Sequence, residues 1–283
     1  MAGFKTVAGK WVLVTGAASG IGLSTAQAFA RRGANLVLAD MNAEALEQAA
    51  GSIVALGAVY RPVVCDVGDA ASVEQCAAGL LADGIVPDIL INNASVAFLG
   101  GFLETPLAQW QRTLNINVLG IVHMVRAFLP AMQRRSGPGL IINIASAASY
   151  LPTPNMTAYA ASKGAVQQFS EVLAMELAGS KVGVQCVYPG IINTAIVGDV
   201  KTTGANISTA QLARLQQYYI DKGCEPEIVA EDIVHATMTG AAHVYTGPLS
   251  RLGNLVNRIS RPLARRLSIR AARTSGYLPA VGD

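Results

Sequence analysis

Short, continuously apolar runs alternate along the chain with longer Ala-rich stretches whose apolar positions recur at helical spacing. The runs fall at 11–15, 35–40, 59–65, 88–92, 140–146 and 182–188, and the helical patterns at 21–32, 43–56, 70–82, 106–135, 157–178 and 227–239. A run without polar alternation reads as a strand buried on both faces. Strand and helix in repeated alternation predict an α/β protein with a doubly wound parallel sheet. A further short strand is expected at 243–246, and no linker composition, low complexity or repeat interrupts the pattern. The expected organisation is one domain over 1–250, with a substrate loop near 190–225 and a basic C-terminal extension over 251–283.

Composition agrees with a large core. Of 283 residues, 52% are hydrophobic and 14% charged, which excludes a disordered chain. Mean hydropathy is high at +0.39, yet no uninterrupted apolar stretch approaches the roughly 18 residues of a membrane span. The first ten residues lack a long apolar core, so no secretory signal is expected. Cys65, Cys76, Cys186 and Cys224 show no C-x-x-C spacing and read as reduced thiols of a cytoplasmic protein. The three histidines have no ligand spacing, so no metal site is expected. The net charge of +3 is uneven, because seven arginines and one acid from Arg251 onward give that segment +6 and leave −3 for residues 1–250. A short basic stretch on an acidic body argues against nucleic-acid binding.

The first predicted strand runs straight into Thr15-Gly16-Ala17-Ala18-Ser19-Gly20-Ile21-Gly22, and a helix follows. Glycines at such a turn let the backbone approach a pyrophosphate, and the helix N-terminus offers N–H groups and a positive dipole end. The spacing is G-x-x-x-G-x-G. Asp40 ends the next strand, eighteen residues past Gly22. A carboxylate there accepts hydrogen bonds from an adenosine ribose and repels a 2′-phosphate, and Met41 follows it, so NAD is expected over NADP. The bland reading of Asp40 is a helix cap.

Tyr159 and Lys163 stand four residues apart on a predicted helix, thirteen residues after Ser146. A free tyrosine titrates at about 10. A neighbouring ammonium is expected to pull that value toward 7 and make the phenol a general acid/base. A nearby serine hydroxyl could hold the substrate oxygen. Taken alone, the pair could equally be a surface helix pair.

Together these residues resemble the short-chain dehydrogenase/reductase family, over roughly residues 10–242. The resemblance rests on the glycine turn, Asp66 in Cys-Asp-Val, Asn92-Asn93-Ala94, Asn117, Ser146, Tyr159-x-x-x-Lys163 and Pro189-Gly190. It implies a Rossmann fold and a role for each position. Gly16, Ser19, Gly20, Ile21 and Gly22 would meet the cofactor phosphates and ribose, and Asp66 and Val67 the adenine. Asn93 and Ala94 would pack along the adenine-side ribose. Lys163 would hold the nicotinamide ribose, Tyr159 would be the acid/base and Ser146 would orient the substrate oxygen. Asn117 would kink its helix and support a proton-relay water. Pro189, Gly190, Ile192 and Thr194 would cover the nicotinamide. A dimer or tetramer is expected by the same resemblance. Bland readings remain for Asn117 as a helix kink, Asp66 as a turn former and Ser149 as a competitor of Ser146.

Two departures stand out. Serine occupies position 95, where the family usually has glycine, so the loop at 95–98 is expected to differ. The C-terminal end is an arginine-rich segment where many members have an Asp-Gly-Gly signature.

Ile191, Ile196, Val197, Ile207, Leu212, Leu215, Tyr218 and Tyr219 make the predicted substrate loop apolar, which points to a bulky apolar secondary alcohol or ketone such as a steroid, retinoid or other lipid. The bland reading is that these residues only pack the loop down. A dehydrogenase of small polar alcohols and a non-catalytic NAD-sensing or scaffold protein are the rival functions. In the tail, Leu252, Val256, Ile259, Leu263 and Leu267 recur at helical spacing, with Arg251, Arg258, Arg261 and Arg265 on the other side and Pro262 between two expected helices. Three readings stand for it: a peripheral membrane anchor, a lid or subunit contact, and a helix packed on its own body.

Overall fold

The computed structural model describes residues 3–194 and 203–278. Seven parallel strands form one sheet in the order β3-β2-β1-β4-β5-β6-β7. They are β1 (Trp11–Thr15), β2 (Asn35–Asp40), β3 (Tyr60–Val64), β4 (Ile89–Asn92), β5 (Gly139–Ile144), β6 (Val182–Pro189) and β7 (His243–Thr246). Helices α1 (Gly20–Ala30), α2 (Ala43–Val54) and α3 (Ala70–Ala82) connect the first half. The second half uses α4 (Leu107–Leu114), α5 (Gly120–Arg134), α6 (Thr157–Glu176), α7 (Thr209–Lys222) and α8 (Pro226–Thr239). Two cores sandwich the sheet, one around Phe29, Leu36, Ile89 and Ile233, the other around Leu13, Leu90, Met124 and Phe128. The strand order reverses between β1 and β4, and the crevice outside the C-terminal strand ends is where such sheets bind ligands.

Three sequence expectations need correction. The run at 59–65 is not buried on both faces. Strand β3 is the sheet edge, with Arg61, Pro62 and Val64 exposed. A proline without an N–H is tolerated there. The helical run at 106–135 is interrupted by a π-helical turn at Asn115–Leu119. Residues 107–134 are long and apolar enough to cross a membrane, but Met124, Phe128 and Met132 of this stretch fill the core. The predicted substrate loop is also not all loop, since α7 occupies Thr209–Lys222.

A chain of buried amides ties the sheet to α6. Asn92 Nδ2 donates to Asn143 Oδ1 at 2.8 Å, and Asn143 Nδ2 donates to Ser170 Oγ at 3.0 Å. The tail forms α9 (Ser250–Ile259) and α10 (Arg261–Ser275), broken where Ser260 caps α10 and Pro262 enters its first turn. Pro is well placed at a helix start, where its missing N–H has no partner to lose.

Candidate active site

The glycine turn is built for close approach. Gly16 and Gly20 have φ of +64° and +51°. A Cβ on Gly22 would lie 2.0 Å from the Gly16 carbonyl oxygen. Asn93 locks the turn from the side, its Nδ2 donating to Thr15 O at 2.9 Å and Gly16 O at 3.2 Å. Thr15 Oγ1 accepts from the backbone N–H groups of Asn93 and Ala94, both at 3.0 Å. Asp40 closes the far side: Oδ2 accepts from Ala18 N at 3.1 Å and Oδ1 from Asn42 N at 3.0 Å. Asp40 therefore both braces the turn and faces the cleft. Asp66 forms a local turn, accepting from Gly68 N at 2.9 Å, and lines the cleft beside Val67. Arg112 of α4 also reaches this cleft. Sequence reasoning missed it, because only the tertiary fold carries α4 to this cleft.

Ser146, Tyr159 and Lys163 meet at one pocket with Pro189, Gly190, Ile192 and Thr194. Ser146 follows β5 and accepts from Ala148 N at 3.1 Å. The Ser149 hydroxyl instead donates to Lys163 O at 3.0 Å, and Ser146 is the one of the two that lines the pocket. Lys163 is buried, donates from Nζ to Ile144 O at 2.8 Å and sits 5.6 Å from the centroid of the Tyr159 ring. The electrostatics differ from the expectation. Burial pushes the Tyr159 phenol up to about 12, against a smaller pull downward from the Ser146 hydroxyl. Burial also pushes Lys163 down to about 8. Desolvation of the phenolate outweighs any help from the ammonium, so Tyr159 holds its proton at neutral pH.

Asn117 lies fully buried in the π-helical turn. Its Oδ1 accepts from Val96 N at 2.8 Å, and its Nδ2 donates to Val96 O and Ser162 Oγ, both at 2.9 Å. It thus kinks the helix and ties the 93–98 loop to α6. Ser95 takes no left-handed backbone conformation, which explains how serine replaces glycine there. Its Oγ is buried and lacks a partner among the described residues, and Ser95 lines both the cofactor cleft and the catalytic pocket.

The opposite wall comes from the end of the chain. Ser268, Ala271, Ala272, Ser275 and Tyr277 from α10 and the residues after it line the catalytic pocket with Ile191, Tyr218 and Tyr219. Tyr219 and Tyr277 share a hydrogen bond of 2.6 Å between their hydroxyls. Asn155 donates to the Tyr277 carbonyl from a left-handed conformation (φ 60°). Gly276 permits the join: a Cβ there would sit 2.8 Å from Gln211 O and 2.9 Å from Leu215 N of α7. The residues of the predicted loop divide between two places. Ile207, Leu212 and Leu215 pack into a satellite core, while Ile191, Tyr218 and Tyr219 face the pocket. Ile196 and Val197 lie outside the described residues.

The cleft fits a nicotinamide dinucleotide on three grounds: the glycine cradle, the open N-terminus of α1 with a Ser19 hydroxyl that makes no cap bond, and the unpartnered Ser95 Oγ at the junction. Gly16, Ser19, Gly20 and Ile21 would hold the phosphates, Asp40 and Asp66 the adenosine end, and Lys163 and Thr194 the nicotinamide end. Fold and site together define a Rossmann-type sheet with a glycine cradle and a Ser146–Tyr159–Lys163 cluster outside its C-terminal strand ends. The family model for short chain dehydrogenases matches residues 10–204, and the chain belongs to that family.

The probable oxidoreductase EphD of Mycobacterium tuberculosis is 38% identical over 232 residues, 80% of this chain and 39% of that one. This chain thus spans well under half the length of that relative. Estradiol 17-beta-dehydrogenase 11 of Rattus norvegicus is 31% identical over 281 residues, 96% of this chain and 89% of its own. Among solved structures, a Burkholderia phymatum short chain dehydrogenase/reductase in complex with NAD is 32% identical, with a TM-score of 0.77 over 85% of this chain and 89% of that one. A metagenomic short-chain oxidoreductase in complex with NADP is 29% identical, with a TM-score of 0.68 over 84% of this chain and 96% of that one.

Proposed function

We propose that the protein is an NAD-dependent dehydrogenase of an apolar secondary alcohol, or a reductase of its ketone, with Tyr159 as general acid/base. The convergence of Ser146, Tyr159 and Lys163 on a pocket with largely apolar walls carries the reading. A bound nicotinamide supplies or accepts the hydride. In ketone reduction the protonated Tyr159 hydroxyl gives its proton to the substrate oxygen, which the Ser146 hydroxyl orients. In alcohol oxidation the phenol must first lose that proton, and Lys163 is the cation that favours the loss. Pocket volume is about 200 Å³, below the roughly 300–1,000 Å³ of sites that enclose drug-sized ligands. A compact apolar alcohol matches this volume better than a steroid-sized one. Asp40 at the ribose end supports NAD, while Arg112 beside the same cleft is the residue that could favour a 2′-phosphate instead.

The test is nicotinamide reduction, followed by absorbance, against aliphatic, aromatic and steroid secondary alcohols and small polyols, with NAD and NADP in parallel. Turnover confined to apolar alcohols with NAD supports the proposal. Turnover of polyols alone, or with NADP alone that Arg112→Ala removes, overturns the substrate or the cofactor half of it.

A further inference from the structure

The outer face of the tail is unlike the rest of the surface. Among the described residues, seven of the twenty-one exposed large apolar side chains fall between 249 and 269. Of the three readings of the tail, packing of the apolar stripe on the body is the one these residues do not follow: Leu252 and Ile259 are 61% and 75% exposed. The inner face is made of small residues: Gly253 sits against Leu151, and Ala264 and Ala272 are buried. Leu252, Leu255 and Ile259 follow one another at three- and four-residue spacing on α9, and Leu263 and Leu267 continue at four-residue spacing on α10. Each helix thus carries an outward apolar ridge.

Charge flanks the ridges. All seven tail arginines are exposed, and no ion pair to any of them is found among the described residues. Arg251 alone makes a structural hydrogen bond, from Nε to Tyr245 O at 3.2 Å. Leucines projecting from a helix pair and ringed by unpaired arginines match an interfacial amphipathic surface, which gains from apolar burial and from anionic headgroups together. A second copy of the chain would bring like-charged faces together, which opposes self-association. Leu249 connects this face to the site: it lines the catalytic pocket and is 48% exposed.

We propose that the outer face of α9 and α10 docks the protein on an anionic lipid surface, with the rim of the catalytic pocket at Leu249 held against the bilayer. Docking in this way would present an apolar alcohol dissolved in the membrane to the pocket without a passage through water. The docking itself does not depend on which alcohol is turned over.

The experiment is co-sedimentation of the full chain with vesicles of phosphatidylcholine alone and of phosphatidylcholine mixed with phosphatidylserine, at low and high salt. Partition onto the anionic vesicles is expected to be stronger by about tenfold or more and to weaken with salt. The double variant Leu255→Asp, Ile259→Asp should lose this partition and keep the melting temperature and turnover of a water-soluble alcohol, because both side chains already face solvent. Equal binding to both vesicle types, no binding to either, or a dimer in sedimentation velocity that the double variant dissociates would overturn the proposal, the last in favour of a subunit contact.

Discussion

The two walls of the active site are made in different ways. The cofactor wall is largely backbone: the glycine turn, where Gly22 has no room for a Cβ, strand ends, and side chains such as Asn93, Thr15 and Asn117 whose hydrogen bonds mostly serve to fix main chain. The substrate wall is side chain: aromatic and small apolar groups from α7 and α10, joined by the Tyr219–Tyr277 contact and the Asn155 anchor. A wall of main chain tolerates little change, because every substitution moves backbone. A wall of side chains can change shape one residue at a time while the chemistry beside it stays fixed. Under the proposed function, the substrate wall would set specificity and the cofactor wall would hold the dinucleotide.

The largest effect should come from the residue between the two walls. Tyr159→Phe removes the only proposed proton donor at the substrate oxygen, so kcat should fall by about 10²–10⁴-fold. Dinucleotide affinity, measured by fluorescence titration, should stay unchanged, since the phenol ring and Lys163 remain. A variant with full turnover would remove Tyr159 from the mechanism.

Gly22→Ala tests the backbone wall. Its Cβ would stand 2.0 Å from Gly16 O and 2.5 Å from the Asn93 side chain. The turn must shift, with an overpacking penalty of about 1–3 kcal/mol. Dinucleotide affinity should drop by about tenfold or more, on the scale of 1.4 kcal/mol per factor of ten. Unchanged affinity would mean that the cradle is not the phosphate site.

Lys163 links the walls, and its burial has a pH signature. Its folded-state value, about 8, lies below the ordinary 10.5. Below about pH 8 both folded and unfolded chains hold the proton, and the folded state bears the whole desolvation penalty, about 3 kcal/mol at 1.36 kcal/mol per unit. Between about pH 8 and 10.5 the unfolded chain binds more protons, so stability rises with pH. Lys163→Met should abolish that rise, read as the difference between the two melting-temperature profiles. Parallel profiles would show that the ammonium is not desolvated.

How far the sequence carried the reading follows the same division. The alternation of strands and helices, the glycine turn and the Ser146–Tyr159–Lys163 cluster were legible, because each depends on local pattern: apolar runs, turn glycines, four-residue helical spacing. Arg112 at the cofactor cleft was not legible, since only packing of α4 brings it there. The tyrosine pair joins residues 58 positions apart, and nothing local in the chain announces such a contact. The tuning of Tyr159 was misjudged for a related reason. Sequence shows the neighbouring lysine, while the burial that outweighs it comes from α7 and the tail. Proline at 62 did carry a readable edge-strand signal, which the apolar run around it obscured.

The smallest predicted effect probes the substrate wall alone. Tyr277→Phe removes one hydroxyl from the 2.6 Å pair and leaves the half-buried Tyr219 hydroxyl without that partner. An unsatisfied buried hydroxyl costs about 1–3 kcal/mol, so the melting temperature should fall by a few degrees. Burial already drives the Tyr277 phenol well above 10, so both hydroxyls are neutral across the working range and the loss should not vary with pH there. The cofactor wall is untouched, and dinucleotide affinity should not move. KM for the best apolar alcohol should change by a few-fold while kcat holds, because the lost group shapes binding and takes no part in proton transfer. A drop in kcat with KM unchanged would instead bring the tyrosine pair into the chemistry beside Tyr159, and the separation between the two walls would fail at that point.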